Sequence, residues 1–198
     1  MPFGSGGYIV IDGTWPAMAR TVWRNPERYR DSYWKKYASR GYFFAGDGAK
    51  YDDDGYIWLL GRIDDVINVS GHRLSTIEIE SALVSHPLVG EAGVVGVADA
   101  MTGQAIAAFV IPSTMIADDP AAAREFESVL RAHVTREIGA IAKPRDIVIV
   151  PDLPKTRSGK IMRRLLGDLV DGRELGDTTS LQDDSVPRLI AEILRDRR

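Results

Sequence analysis

Two apolar runs lie close together in the chain, at residues 92–97 and 105–111, with Gly103-Gln104 between them, and they predict two strands. Further strands are indicated at residues 66–69 and 146–150. Helical patterns separate these strands, so that from the first of them onward the order is strand, helix, strand, strand, helix, strand, helix. This order of elements predicts a small α+β domain.

Both of the longer helices in this domain carry recognisable start signals. Ser75 and Glu78 form a capping box, in which the serine caps the helix and the glutamate reaches back. Asp119-Pro120 starts the second helix, because proline suits the first helical turn, and Gly139 ends it. The apolar residues on the helix faces are Ile79, Ala82 and Leu83 in the first helix, and Phe126, Leu130, Val134 and Ile138 in the second.

The first 60 residues follow a different pattern and do not make a domain by themselves. Residues 8–12 predict a strand, and residues 15–40 are aromatic and basic. An Asp-Gly pair then lies between two apolar runs at Asp54-Gly55, which is a strong signal for a β-hairpin. We therefore interpret this region as the end of something larger.

The composition of the chain excludes several classes of protein. With 198 residues, 44% hydrophobic content and a formal net charge of −3, the chain has ordinary globular composition and gives no reason to expect a nucleic-acid partner. No apolar run is long enough to span a membrane, and no signal peptide is visible. The absence of cysteine excludes disulfides, thiolate catalysis and Cys-based zinc sites. We expect a cytoplasmic protein without membrane contact.

A basic stretch interrupts this slightly acidic chain between Lys155 and Arg164, where five residues are basic and none is acidic. It is not a P-loop, because Pro154 and Ile161 occupy positions that the P-loop motif reserves for glycine and for serine or threonine. We predict that a helix begins directly after Ser158-Gly159. Lys160 would then oppose the helix dipole, which favours a role in binding an anion such as phosphate or carboxylate.

Other candidate binding residues lie before the small domain and near its start. Asp47, in a Gly-Asp-Gly turn, is either a turn residue or a carboxylate that accepts two hydrogen bonds from a ribose. Arg62 and Arg73 flank an acidic pair and a Ser-Gly-His turn, and guanidinium groups fit phosphate oxygens. The three histidines do not pair at metal-ligand spacing, and His86 is interpreted as a helix C-terminal residue.

The segments GRIDDVINVSGHR (61–73), GQAI (103–106) and LPKTRSGKIMRR (153–164) resemble the C-terminal part of the acetyl-coenzyme A synthetase family. That family belongs to the adenylate-forming superfamily of acyl-CoA ligases, luciferases and adenylation domains. The resemblance covers essentially the whole chain, and the two longer motifs are highly specific for the superfamily.

The resemblance implies an acetate–CoA ligase that uses ATP, acetate, coenzyme A (CoA) and Mg²⁺. ATP and acetate would form acetyl-adenylate and diphosphate, and CoA would then displace AMP to give acetyl-CoA. It also implies a small mobile C-terminal domain, with a short mixed sheet and flanking helices, that follows the β-rich end of a large adenylation domain and rotates between the half-reactions. The implied boundaries are residues 1–63 for the end of the large domain, 64–170 for the small domain and 171–198 for a tail with a short helix.

The resemblance also assigns roles to the residues that bind the nucleotide. Asp47 is implied to bind the ribose, and Arg62 and Arg73 to bind the nucleotide and its phosphates. Lys160 is implied to be the catalytic residue, which contacts the carboxylate and the α-phosphate. An exposed Lys160 is also a candidate for reversible acetylation by a lysine acetyltransferase and a deacetylase, because acetylation removes its charge.

Further roles concern CoA, the hinge and a metal. Ser70 and Gly71 are implied to line the CoA route, and Asp64 to be the hinge. The family's basic contact to CoA phosphates falls at Thr135, so the neighbouring Arg136 is the candidate. The resemblance places a magnesium site at Val84, His86 and Val89.

The sequence has no Ser/Thr/Gly-rich phosphate loop and no acyl pocket. We therefore expect a fragment that is inactive alone and that works with an N-terminal adenylation domain. A propionate-specific synthetase, a non-catalytic phosphate- or RNA-binding module and an interaction fragment remain open as alternatives. Residues 150–175 contain no aromatic residue, which disfavours RNA binding.

Overall fold

The chain forms small sheets and five helices within residues 6–116 and 119–197, the part that the computed structural model describes. The strands are β1 (Gly6–Tyr8), β2 (Ile11–Asp12), β3 (Tyr42–Phe43), β4 (Asp47–Tyr51), β5 (Ile57–Arg62), β6 (Val66–Val69), β7 (His72–Ser75), β8 (Val89–Asp99), β9 (Gly103–Pro112) and β10 (Asp146–Ile149). The α-helices are α1 (Pro26–Tyr33), α2 (Thr76–Val84), α3 (Pro120–Glu137), α4 (Arg163–Asp171) and α5 (Ser185–Asp196). The chain divides into two units, Met1–Asp64 and Asp65–Arg198.

The second unit is built on a five-stranded mixed sheet. The two apolar runs of the sequence become β8 and β9, which pair antiparallel along almost their whole length. β10 lies parallel to β9 on its other side, and the hairpin of β6 and β7 joins through the pair Val69 and Gly103. The predicted α+β class with a short mixed sheet is confirmed.

Helices cover both faces of this sheet, which explains why its central strands read as continuous apolar runs. Side chains alternate between the faces along a strand. Val94 and Ala108 belong to the core cluster that includes residues of α2 and α3. Val95 and Phe109 belong to a second cluster with residues of α4 and α5.

The predicted starts of α2 and α3 are correct. Ser75 Oγ accepts a hydrogen bond from the backbone N–H of Glu78 (3.4 Å), and Asp119 Oδ1 accepts one from the N–H of Ala121 (3.0 Å). Their apolar faces are buried, with Leu83 and Leu130 completely inaccessible to solvent. Capping signals are local, and the burial of these faces shows that the periodicity also identified the core.

Two local predictions are wrong, namely the start of α4 and the single strand at residues 8–12, and one strand, β7, was missed. α4 begins at Arg163 rather than directly after Ser158-Gly159, so Lys160 lies outside the helix and does not oppose its dipole. β7, formed by residues just before α2, was not predicted, since it exists only through its pairing with β6. The predicted strand at residues 8–12 is divided, because β1 pairs with β4 whereas β2 pairs with β3.

The first unit contains the predicted hairpin, with β4 and β5 joined through a turn that includes Gly55 (φ +86°). No described side chain of residues 6–64 is buried. Aromatic rings contact one another instead, as in the stacked pair Tyr33 and Phe43 with ring centroids 5.2 Å apart. Lys36 Nζ lies 3.9 Å from the ring centre of Tyr8, within cation–π range. This unit therefore lacks an apolar core of its own among these residues.

No helix in residues 6–116 and 119–197 is long and apolar enough to cross a lipid bilayer.

Candidate functional site

Lys160 lies on a backbone turn that we call the lysine turn (residues 155–161). Lys155 and Ile161 form an antiparallel bridge at its base. Thr156 holds the far end, because its N–H donates to Lys160 O (2.8 Å) and its Oγ1 accepts from the N–H of Lys160 (3.1 Å). Gly159 has φ +81°, which glycine adopts readily, and its N–H donates to Thr156 O (2.8 Å). The backbone of Lys160 is therefore ordered from both sides.

The Lys160 side chain is exposed and makes no hydrogen bond or ion pair with any residue that the structure describes. Its basic neighbour Lys155 is different, because Lys155 Nζ lies 2.6 Å from Glu91 Oε2 and 3.1 Å from Asp152 Oδ1. The hydrogen bond to Glu91 raises the pKa of Lys155 above its ordinary value. The turn thus presents one lysine to solvent while its neighbour is bound to carboxylates.

Arg163 and Arg164, which follow the lysine turn, also have carboxylate partners. Arg163 Nε and Nη2 donate to the two carboxylate oxygens of Glu80 (2.8 and 2.6 Å), and Arg163 Nη1 lies 3.5 Å from Asp65 Oδ2. Arg164 Nη1 lies 3.4 Å from Asp168 Oδ2. Glu80 is a residue that the sequence interpretation missed. Its partner is 83 positions away, so no local signal identifies it.

Ser70 and Gly71 form the two-residue turn between β6 and β7. Their φ angles are +50° and +85°, the left-handed conformation that tight hairpin turns require. The N–H of Ser70 donates to Thr102 O (2.9 Å), which ties this turn to the connection between β8 and β9. A Cβ atom added at Gly71 would meet no other atom within 4 Å, so the space beside this glycine is open.

Asp99 makes hydrogen bonds within the connection between β8 and β9, which also contacts the Ser70-Gly71 turn. Its Oδ1 accepts hydrogen bonds from the hydroxyl and the N–H of Thr102 (2.7 and 2.8 Å), and its Oδ2 lies 2.6 Å from Arg145 Nη1. The bonds from Thr102 are the main reason that the pKa of Asp99 falls to about 2. This carboxylate is therefore ionised throughout the neutral range.

Arg73, a predicted nucleotide-binding residue, lies on β7 opposite Asn68. Its side chain is exposed and makes no ion pair with the described residues. Like Lys160, it is a cation of the second unit that remains available to an anionic ligand.

Three predicted residues lie close together in the first unit. Asp47 opens β4 and is paired in register with Arg62 at the end of β5. The Arg62 guanidinium contacts both carboxylate oxygens of Asp64 (3.0 and 3.4 Å) and donates to Ala45 O (3.3 Å). The structure thus places the candidate ribose ligand, a candidate nucleotide ligand and the candidate hinge residue side by side.

Arg136, the candidate CoA contact, lies in the last turn of α3. Its Nη2 donates to His133 Nδ1 (2.7 Å), and its Nε lies 3.4 Å from Glu137 Oε1. A guanidinium can only donate, so the ring proton of a neutral His133 lies on Nε2, which is 2.9 Å from Ala82 O. Thr135 Oγ1 donates to Arg131 O (2.8 Å) within the helix, which leaves Arg136 as the more exposed of the two.

The implied magnesium site lies where α2 ends and β8 begins. Val84 and Val89 offer backbone carbonyl oxygens there, and His86 O already accepts from the N–H of Val89 (3.0 Å). Burial lowers the pKa of His86, whose ring contacts that of His133. Mg²⁺ prefers carboxylate and water oxygens, and no cluster of three acidic or histidine ligands occurs among the described residues. These donors do not by themselves make a magnesium site, and magnesium here stays a prediction.

Residues 78–160 match the family model of the AMP-binding enzyme C-terminal domain. The match covers 83 of the 198 residues of this chain. The matched region begins in α2 and ends on Lys160, so it includes most of the sheet and nearly all of the lysine turn.

Several proteins similar to this chain are named acetyl-coenzyme A synthetase. The enzyme of Mycolicibacterium smegmatis is 62% identical over 180 residues, which are 91% of this chain and 19% of that protein. The enzyme of Mycobacterium tuberculosis H37Rv is 58% identical over 91% of this chain and 27% of that protein. The enzyme of Streptomyces coelicolor is 55% identical over 96% of this chain and 28% of that protein. The chain therefore spans 19% to 28% of the length of these relatives.

Solved structures show the same fold. Acetoacetyl-CoA synthetase from Streptomyces lividans matches with a TM-score of 0.80 over 100% of this chain and 29% of that chain, and the 22% identity makes this a likeness of fold alone. ATP-bound MatB from Rhodopseudomonas palustris matches with a TM-score of 0.66 and 27% identity, over 85% of this chain and 31% of that chain.

Proposed function

We propose that this chain supplies the C-terminal part of an acetate–CoA ligase, which converts ATP, acetate and CoA into acetyl-CoA, AMP and diphosphate through an acetyl-adenylate. The observation that carries the proposal is the lysine turn, whose ordered backbone presents an exposed Lys160 while Lys155, Arg163 and Arg164 are engaged by carboxylates. The 62% identity to an acetyl-coenzyme A synthetase supports acetate as the acid.

In the first half-reaction, a carboxylate oxygen of acetate attacks the α-phosphorus of ATP. The bond from that phosphorus to the bridging oxygen breaks, and diphosphate leaves with the electron pair. Negative charge is present on both reacting groups, and the Lys160 ammonium would lie between them and stabilise the transition state. Because Thr156 holds its backbone at both the N–H and the C=O, little order has to be gained when the reaction begins.

In the second half-reaction, the CoA thiol releases its proton to solvent, its sulfur attacks the acetyl carbonyl carbon, and AMP leaves with the electron pair on its phosphate oxygen. The open space beside Gly71 would let the thiol arm pass close to the backbone. Arg136 would contact CoA phosphates, and Asp47, Arg62 and Arg73 would hold the nucleotide. We assign the rotation between the two half-reactions to Asp64, after which the division between the two units falls.

Magnesium, when bound with ATP, would neutralise phosphate charge. Reversible acetylation of Lys160 would switch off the first half-reaction, since it removes the charge on which that step depends. An acetyltransferase and a deacetylase would be the partners, and the exposure of Lys160 supports access by such enzymes.

The ion pairs of the basic stretch disfavour the alternative of an RNA-binding module. Nucleic-acid binding depends on cations that are free to neutralise phosphates, and three of the five basic residues here already contact carboxylates. Exposed apolar residues of β5 are the observation that would support an interaction fragment, since Trp58 and Leu59 are 57% and 71% exposed. The rest of an adenylation domain would cover the same residues, so their exposure does not favour a second function.

The test is a chimera in which the full 198-residue chain replaces the matching segment of the Mycolicibacterium smegmatis synthetase. We expect acetate-dependent ATP–pyrophosphate exchange and acetyl-CoA formation. The same assays with propionate in place of acetate test the alternative acid. Lys160→Ala should lower the exchange by about a hundred- to a thousandfold, the typical cost of losing one such donor. It should spare thioester formation from supplied acetyl-adenylate. A folded chimera without exchange, or a Lys160→Ala chimera that keeps it, would contradict the proposal.

A further inference from the structure

The two arms of the lysine turn pair with each other, and a third short segment, from the C-terminal region, pairs with the first arm. We call residues 180–182 the tail strand. Leu181 forms an antiparallel bridge with Thr156. Two backbone hydrogen bonds flank this bridge, because the N–H of Gln182 donates to Lys155 O (2.9 Å) and the N–H of Arg157 donates to Ser180 O (3.2 Å). Residues 155–157 therefore pair with the return of the turn on one side and with the tail strand on the other.

The tail strand is itself held in place. Leu181 is only 6% exposed, although it follows a Gly/Asp/Thr-rich segment with few apolar residues. Its N–H donates to Thr178 O (2.9 Å). Arg164, on α4, donates from Nη2 to Asp177 O (2.6 Å), and Thr179 is bonded to Asp177 Oδ1 through its N–H and its hydroxyl. The segment is thus anchored on both the core and the helix that follows the lysine turn.

We propose that the tail strand positions Lys160 for catalysis, with Leu181 and Gln182 as positioning residues; this inference rests on the proposed function. Lys155 and Arg157 would lose backbone partners without the tail strand, and the turn would be held only at its base and at Thr156. Lys160 would then sample orientations that do not reach the reacting groups, and loss of alignment at a reacting centre lowers the rate. Gln182 would touch no substrate and would act through the backbone of the turn.

One pair of variants isolates the backbone bond. Gln182→Pro removes the N–H that donates to Lys155 O, whereas Gln182→Ala keeps it and changes only an exposed side chain. The residue before a proline favours extended backbone, which is the conformation that Leu181 needs in its bridge. The two variants therefore differ mainly in one hydrogen bond.

The first measurement is amide hydrogen exchange of the 198-residue chain. We expect Gln182→Pro to speed exchange of the Arg157 N–H by about fivefold, the factor that one ordinary hydrogen bond implies. Gln182→Ala should match the wild type, and amides of β9 such as Phe109 should not change in either variant. Equal exchange at Arg157 in the two variants, or faster exchange at Phe109 as well, would overturn the inference.

The second measurement uses the chimera, which carries the whole chain. Gln182→Pro should lower ATP–pyrophosphate exchange more than thioester formation from supplied acetyl-adenylate, while Gln182→Ala leaves both unchanged. An active wild-type chimera in which Gln182→Pro lowers neither reaction, or lowers both equally, would overturn the positioning role alone. An inactive wild-type chimera would overturn the proposed function, and the catalytic role of the tail strand with it.

Discussion

Arg163 binds Glu80 through two parallel hydrogen bonds, Nε to Oε1 at 2.8 Å and Nη2 to Oε2 at 2.6 Å. The pair joins the start of α4 to α2, and the Glu80 carboxylate also accepts the N–H of Val94 from β8 (2.9 Å). Arg163 and Glu80 are 23% and 12% exposed at the side chain. Removing Arg163 would leave the Glu80 carboxylate largely shielded from water without its partner. We therefore expect Arg163 to stabilise the fold, whereas the exposed Lys160 should contribute little to stability.

Arg163→Ala should therefore destabilise the second unit by about 3 kcal/mol, the lower part of the range for a buried pair that loses one partner. Lys160→Ala should change its stability by less than about 0.5 kcal/mol, as is usual at an exposed position. All tryptophans and tyrosines lie in residues 1–64, so fluorescence would not report on this unit. Denaturant-dependent hydrogen exchange of β9 amides is the measurement. Equal losses for the two variants would contradict the assignment.

Lys160 should react with acetic anhydride faster than Lys155 in the 198-residue chain. Glu91 raises the pKa of Lys155, and each unit of increase lowers the fraction of neutral, reactive amine about tenfold. Lys160 has no such partner among the described residues and is more exposed. Time-resolved mass spectrometry of the two sites at pH 8 tests this. The Glu91→Gln variant is the control, since it should speed modification of Lys155 and leave Lys160 unchanged.

Gly71→Leu in the chimera should reduce thioester formation strongly and spare ATP–pyrophosphate exchange. The Cβ atom of leucine would meet no other atom within 4 Å, and the rest of the side chain would obstruct the proposed CoA route. The backbone at φ +85° adds a cost of about 1–2 kcal/mol for any L side chain. Gly71→Ala carries the same cost without the bulk. If alanine impairs the thioester step as much as leucine does, strain in the turn is the cause instead.

Asp99 should make the stability of the second unit depend on pH in the acidic range. Its pKa in the folded state is about 2, below the ordinary 3.8, so the ionised carboxylate stabilises the fold at and above about pH 4 and this contribution is lost as the pH falls toward 2. Asp99→Asn should therefore be less stable than the wild type at pH 7, with a difference that narrows below pH 4. Urea unfolding followed by the NMR signals of β8 and β9 measures it.

Thr102→Val is the matched control for Asp99, because the Thr102 hydroxyl makes the largest contribution to the lowered pKa. This variant should show a weaker dependence on pH than the wild type. A difference between the wild type and Asp99→Asn that stays constant from pH 7 to pH 2.5 would show that Asp99 acts through its shape rather than its charge.

Asp64→Pro in the chimera should reduce one half-reaction much more than the other. Proline fixes φ, and a hinge residue has to absorb the backbone rotation between two states. The substitution also removes the carboxylate that contacts Arg62. Asp64→Ala removes the same carboxylate and keeps the backbone free, so the proline-specific loss is the difference between the two variants. Equal effects of both substitutions on both half-reactions would exclude a hinge at this residue.

Features whose causes are local could be predicted from the sequence. The caps at Ser75 and Asp119, the hairpin around Gly55 and the apolar faces of α2 and α3 depend on residues a few positions apart. The α+β class followed from the order of these elements, and the motif around Lys160 identified the family. Side-chain periodicity and capping act over one or two helical turns, so they can be read without tertiary contacts.

Contacts between distant segments, by contrast, set which charges of the basic stretch remain available. Arg163 meets Glu80 across 83 positions, and Thr156 meets Leu181, which lies beyond α4 in the chain. The start of α4 at Arg163 belongs here too, because the lysine turn takes its conformation from its bridges rather than from helix propensity. Hydrogen bonds and ion pairs between distant segments depend on where the sheet brings those segments together, and no local pattern encodes that arrangement.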